Sequence, residues 1–169
     1  MKILAISGSA SMESSNYYLL KAIQELFIGK HSISVYDSLS EFPLFTPHRL
    51  QEGIPLIIQD FKKQLIAAEA VIISTPEYTH NIPAVLKNMI EWCTHSGEFD
   101  RKKVLPITFT PIKPRGEFAM QSLLFSLQTL NAQTVAQLPL YKAEETIEKE
   151  LILLSNDTKA LLEGAIALF

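Results

Sequence analysis

Residues 7–16 read SGSASMESSN, placing five serines, one glycine and one asparagine directly ahead of a stretch of helical period. Hydroxyls gathered where a helix begins suit an anion, because the first amides of a helix lack internal partners and its N-terminus carries roughly half a positive charge. Taken alone, such a run is more often only a helix cap and a solvated turn. Glu13 opposes a phosphate there unless its carboxylate points away. The glycines lie at 8, 29, 53, 97, 116 and 164, so neither G-x-G-x-x-G nor G-x-x-x-x-G-K-[ST] can be drawn. What remains is one phosphate held by neutral donors, as on a mononucleotide. A second run, TPEYTHNIPAVLKNMIEW at 75–92, sets a proline, a carboxylate and a tyrosine between an apolar run and a helix. Serines at a strand-to-helix turn with His80 or His95 would suit a hydrolase, yet the G-x-S-x-G elbow is missing. Cys93 falls on the apolar face of the second run's helix, where a thiol is ordinarily inert.

Something must hold these two runs together. Short apolar stretches rich in β-branched residues at 2–7, 32–37, 70–75, 104–109 and 134–139 read as strands. Helical period occupies 15–28, 54–68, 82–95 and 118–130, with a final helical segment over 144–168 and a break allowed near Asn156. In the third helix, Asn81 is placed to cap the first turn and Pro83 sits where a missing N–H costs nothing. Ile82, Val85, Leu86, Met89, Ile90 and Cys93 share a face that must be buried. Alternating strands and helices predict one three-layer α/β domain over residues 1–169, with a five-stranded parallel sheet in the flavodoxin-like order 2-1-3-4-5. Strands 1 and 3 are then neighbours, and the loops after Ser7 and Thr75 face one crevice at the carboxyl ends of the strands. A receiver domain shares this order but needs paired acids after strand 1 and an aspartate ending strand 3, where this chain has ISGS and STPE.

The 169 residues carry a net charge of −3 and no Lys/Arg block longer than three, which argues against a nucleic-acid or anionic-membrane surface and favours a small-molecule partner. One cysteine forms no internal disulfide, and no Cys/His spacing suggests a metal. MKILAISGSA reads as a first strand rather than a leader, and apolar runs stay short of a membrane span, so a cytoplasmic location is expected.

Together the two runs resemble the NADPH-dependent FMN reductase family of flavodoxin-like flavoproteins. GSASMESSN matches its G-S-x-R-x-x-S-x-N pattern at Gly8, Ser9, Ser14 and Asn16, with Ser11 where the pattern has arginine. PEYTHNIPAVLKNMIEW matches P-E-Y-N-x-x-I-P-G-x-L-K-N-x-I-D-W at Pro76, Glu77, Tyr78, Ile82, Pro83, Leu86, Lys87, Asn88, Ile90 and Trp92, with Thr79, Ala84 and Glu91 as departures. FPLF at 42–45 also resembles a family segment. The third loop, FTPIKPRGEFAMQ at 109–121, departs from the family's Gly/Ser-rich turn.

The resemblance implies bound FMN, with Ser9, Ser11, Ser14 and Asn16 around its phosphate and Pro76, Glu77, Tyr78 and Thr79 along its ring. It implies hydride transfer from NADPH or NADH to a small acceptor: free flavin, a quinone, an azo compound or a metal oxyanion. No catalytic acid, base or nucleophile and no metal is expected, because the flavin carries the chemistry. Glu77 is read as bracing the backbone, and Lys113 with Arg115 as candidates for the nicotinamide cofactor's phosphates. A homodimer or homotetramer, with Trp92 near its interface, is also implied. The alternative on the same fold is a flavin-binding electron carrier without turnover.

Overall fold

The computed structural model describes residues 1–169. Its central strands are β1 (Lys2–Ser7), β2 (Ser32–Tyr36), β3 (Ala70–Thr75) and β4 (Lys103–Thr110). Two short segments, β5 (Gln133–Thr134) and β6 (Leu138–Tyr141), follow. All pair in parallel, in the order β2-β1-β3-β4-β5, with β6 also on β4. The expected order therefore holds, but the fifth position is not the single strand of 134–139. Gln133–Thr134 pairs with Lys103–Val104, the chain leaves the ladder, and Leu138–Tyr141 rejoins it along Ile107–Thr110. Pro139 has no amide to donate, which an edge position tolerates.

Strand alternation sends successive side chains to opposite faces. Ile3 and Ala5 of β1 join Leu105 and Ile107 beneath α1 (Ser15–Leu26) and α6 (Asn156–Ile166). Leu4 and Ile6 join Val71 and Ile73 beneath α3 (Leu56–Ala67), α4 (Ala84–Trp92) and α5 (Glu117–Thr129). Helices thus cover both faces, and the sheet's carboxyl edge is left to loops. Ile82, Leu86, Met89, Ile90 and Cys93 are buried as their spacing requires, with Val85 packed at the margin.

Three local readings are corrected. Asn81 does not cap α4: Pro83 occupies the cap position without a side-chain bond, and Asn81 closes a turn instead. Residues 144–168 are not one helical segment. A 3₁₀ turn at Lys142–Glu144 leads into an antiparallel hairpin, β7 (Thr146–Glu148) with β8 (Leu151–Leu153), and only then α6, which Ser155 caps. A short helix that the periodicity did not suggest, α2 (Pro47–Glu52), is capped by Thr46 Oγ1, which accepts from Arg49 N at 3.1 Å. No helix is long and apolar enough to cross a membrane.

Candidate functional site

The loop after β1 is set by close approach. Gly8 N donates to Ser74 O at 2.7 Å, and a Cβ on Gly8 would lie 2.8 Å from Leu86 Cδ2. A side chain there would press on Leu86 and on the Ser74 carbonyl 3.1 Å away, so glycine is favoured, and the two sequence runs touch at that point. Beyond it, Ser14 caps α1, its Oγ accepting from Tyr17 N at 3.2 Å, while Ser9 Oγ accepts from Ser11 N at 3.2 Å. The Ser9 proton is left to donate, and Ser14 Oγ, which also lies 3.5 Å from Ser7 Oγ, can turn its proton outward when Ser7 donates to it, which is what an anion needs. Buried Asn16 accepts from Ser74 Oγ at 2.7 Å, tying this loop to β3 and leaving its amide nitrogen free.

The loop after β3 is a tight turn. Tyr78 N donates to Asn81 O at 3.0 Å and Asn81 N to Tyr78 O at 2.9 Å, with Thr79 and His80 both left-handed at φ 49° and 57°. Asn81 Oδ1 accepts from Ile82 N and from Ser122 Oγ, fixing the turn to α5. Tyr78 is half-exposed at the rim. Glu77 is nearly buried, and its Oε2 accepts from Ala119 N at 3.0 Å in the first turn of α5. The cap residue of α5, Gly116, has φ 105° and no room for a Cβ, which would lie 2.8 Å from Thr108 Oγ1. It carries no capping side chain, so Glu77 supplies that oxygen from across the crevice. The expected bracing role of Glu77 is what its geometry performs.

These loops enclose a crevice of about 410 Å³. Ser9, Ser11, Ser14, Ser15 and Asn16 form one wall, with Pro76, Glu77 and Tyr78 beside them. Phe109, Thr110, Pro111 and Arg115 form the far side, joined by Lys142. A separate cleft of about 520 Å³ shares Tyr78 with it and is lined by Thr79, Asn81 and Lys87 among others. Seven of the eight residues expected to hold a cofactor line the crevice; Thr79 lines only the neighbouring cleft. Lys113 lines neither, so it does not join Arg115 there. Neither Arg115 nor Lys142 makes an ion pair, and Glu13 lies outside the lining. Hydroxyl donors and a helix N-terminus on one wall, two unpaired cations on the opposite one and an aromatic rim beside them suit a flat molecule that bears a phosphate.

The geometry offers no hydrolytic pair. His80 stacks edge-on against Phe118 at 4.6 Å and His95 lies against Phe45, and neither hydrogen-bonds a serine. Burial pushes the Cys93 thiol up to about 12, which keeps it protonated and inert.

The family model described as NADPH-dependent FMN reductase matches residues 1–145. The chain belongs to that family. An NAD(P)H-dependent FMN reductase of Pseudomonas aeruginosa is 35% identical over 98 residues, 58% of this chain and 52% of that protein. A quinone reductase of Escherichia coli K12 is 26% identical over 93 residues, 54% of this chain and 50% of that protein. The chain spans about half the length of the curated relatives it matches. A solved flavoenzyme NAD(P)H:(acceptor) oxidoreductase from Paracoccus denitrificans shares the fold at a TM-score of 0.79 and 21% identity, covering 99% of this chain and 94% of that one.

In this member of the FMN reductase family the segment at 42–45 has a structural task. Pro43 O accepts from Trp92 Nε1 at 2.8 Å and from Asn88 Nδ2 at 3.1 Å, and Phe45 N donates to Asn88 Oδ1. Trp92, only 1% exposed, therefore belongs to the core and not to an interface. The site residues that sequence reasoning missed are Ser15, Phe109, Thr110, Pro111 and Lys142. Ser15 stood inside the quoted serine run. Lys142 carried no local signal, because it reaches the crevice through the pairing of β6 with β4.

Proposed function

We propose that this chain binds FMN and passes reducing equivalents from NADPH or NADH to a small acceptor such as free flavin, a quinone, an azo compound or a metal oxyanion. The observation that carries the reading is the single crevice uniting the serine loop, the tyrosine turn and two unpaired cations. Bound FMN supplies hydride acceptance and hand-on; this chain supplies position and dryness. Ser9, Ser11, Ser14 and the free amide of Asn16 offer donors to the phosphate. The backbone of 76–79 offers an edge for the ring, and Tyr78 covers it from water. No side chain is assigned to move a proton, since Glu77 is committed to α5.

Family membership supports this reading, as does the likeness to an FMN reductase and a quinone reductase. A cytoplasmic location accords with one buried, unpaired cysteine. A homodimer or homotetramer accords with the exposed Phe118 and Phe125 on α5, and gel filtration tests it. The activity is tested by the visible spectrum of the purified protein under anaerobic conditions, with FMN and then NADPH added. Yellow colour that bleaches, with steady NADPH oxidation once a quinone is supplied, is expected. Binding without turnover would instead identify a carrier.

A further inference from the structure

We propose that the phosphate of FMN is held by a split site, with hydroxyls from the loop after β1 on one wall and Lys142 with Arg115 on the other. This inference rests on the flavin reading above and adds to it the residues that supply the charge.

Residues 7–16 contain no Lys, Arg or His, and a phosphate monoester carries about −1.5 to −2 at neutral pH. Neutral hydroxyls and the roughly half charge of a helix end leave much of that uncompensated. The compensation stands opposite. β4 and β6 end side by side, with Thr110 paired to Tyr141, and Ala143 N donates to Pro111 O at 3.1 Å. Leu138 and Leu140 point toward the α1 layer. Tyr141 is extended at φ −127° and ψ 133°, so the alternation carries on and brings Lys142 out on the same face. There its Nζ lies 6.0 Å from the centroid of the Phe109 ring, inside the crevice that the serines line. Arg115 arrives from the third loop, whose turn is closed by Thr110 Oγ1 donating to Arg115 O at 2.8 Å and Arg115 N donating to Ile112 O. The carboxylate of Glu77, the only acid in the lining, faces α5. Two cations without acidic partners, facing hydroxyl donors across one crevice, make a site for a compact dianion.

FMN and riboflavin differ by the phosphate alone, so the pair isolates it. Each is titrated against wild type, Lys142→Met, Arg115→Met and Lys142→Arg, following flavin fluorescence at low and high salt. Wild type should bind FMN more tightly than riboflavin. Each Met variant should lose about tenfold in FMN affinity, the size of one charge-assisted hydrogen bond, while riboflavin affinity stays unchanged. The salt dependence of FMN binding should flatten in both, and Lys142→Arg should restore it. Unchanged FMN affinity in both Met variants, or equal losses for FMN and riboflavin, would overturn the split site and leave the flavin reading intact. Wild type binding neither flavin would overturn both.

Discussion

Glu77 lines the crevice, yet its carboxylate serves the protein. Because Gly116 must lack a side chain, α5 has no cap of its own, and Glu77 Oε2 takes the Ala119 amide in its place. Glu77→Ala should therefore lower stability by about 1–2 kcal/mol in denaturant titration, as loss of a cap near a helix dipole does. Glu77→Gln keeps an oxygen and should cost less. If Glu77→Gln instead altered the pH profile of NADPH oxidation, a proton-transfer role would replace the structural one. Thr79 poses the opposite case. A β-branched residue at φ 49° is strained, and the Oγ1 bond to Tyr78 O at 2.7 Å offsets only part of that. The resembled pattern has asparagine here, a residue that adopts this conformation easily. Thr79→Asn should raise stability by about 0.5–1 kcal/mol, and a lower melting temperature in that variant would refute the strain argument.

At the level of elements, the connection from α4 to β4 is secured away from the crevice. Lys62 of α3 and Glu98 are both buried, 3.2 Å apart, with Ser96 Oγ donating to Glu98 Oε2 at 2.9 Å. Removing one partner strands a buried charge, so Glu98→Ala should cost about 3–5 kcal/mol by chemical denaturation. FMN affinity should not change, since the pair lies at the opposite edge of the sheet; a parallel loss of affinity would show that the two ends are coupled. The elements legible in sequence were those with clean periods: β1 and β3 came out to the residue and α5 within one residue at each end, whereas α4 (Ala84–Trp92) is shorter than the expected 82–95 at both ends. The hairpin β7–β8 was not, because Ile147, Leu151, Ile152 and Leu154 satisfy a helical spacing as well as an alternating one. Its turn at Lys149, φ 50°, lacks the Asn-Gly signature that marks such hairpins. The split of the fifth strand was hidden for a related reason, as QTVAQLPLY at 133–141 holds no glycine, asparagine or aspartate to mark a break and only its pairing with β4 shows where the ladder lapses. By contrast, the Thr46-Pro47 start of α2 was a readable cap signal.

Across the whole molecule, two cores on opposite faces of one sheet share every central strand, so folding and the crevice are linked through β1, β3 and β4. The first two walls of the site were legible because each is a contiguous run beside its own strand. Of the third wall only Arg115 was legible, because Lys142 meets Phe109 only after four elements have been wound into register. A ligand that bridges all three walls binds the assembled sheet and not the unfolded chain, and it must raise stability by mass action. At a hundred times its dissociation constant FMN should add about 2.7 kcal/mol, which for a domain of this size is a rise of about 5–11 °C in melting temperature. Riboflavin, which leaves the serine loop and the two cations without a phosphate, should give a smaller rise at equal concentration. Equal shifts from the two would mean that the ring alone is gripped, and that the convergence of serines, Arg115 and Lys142 contributes nothing to holding it.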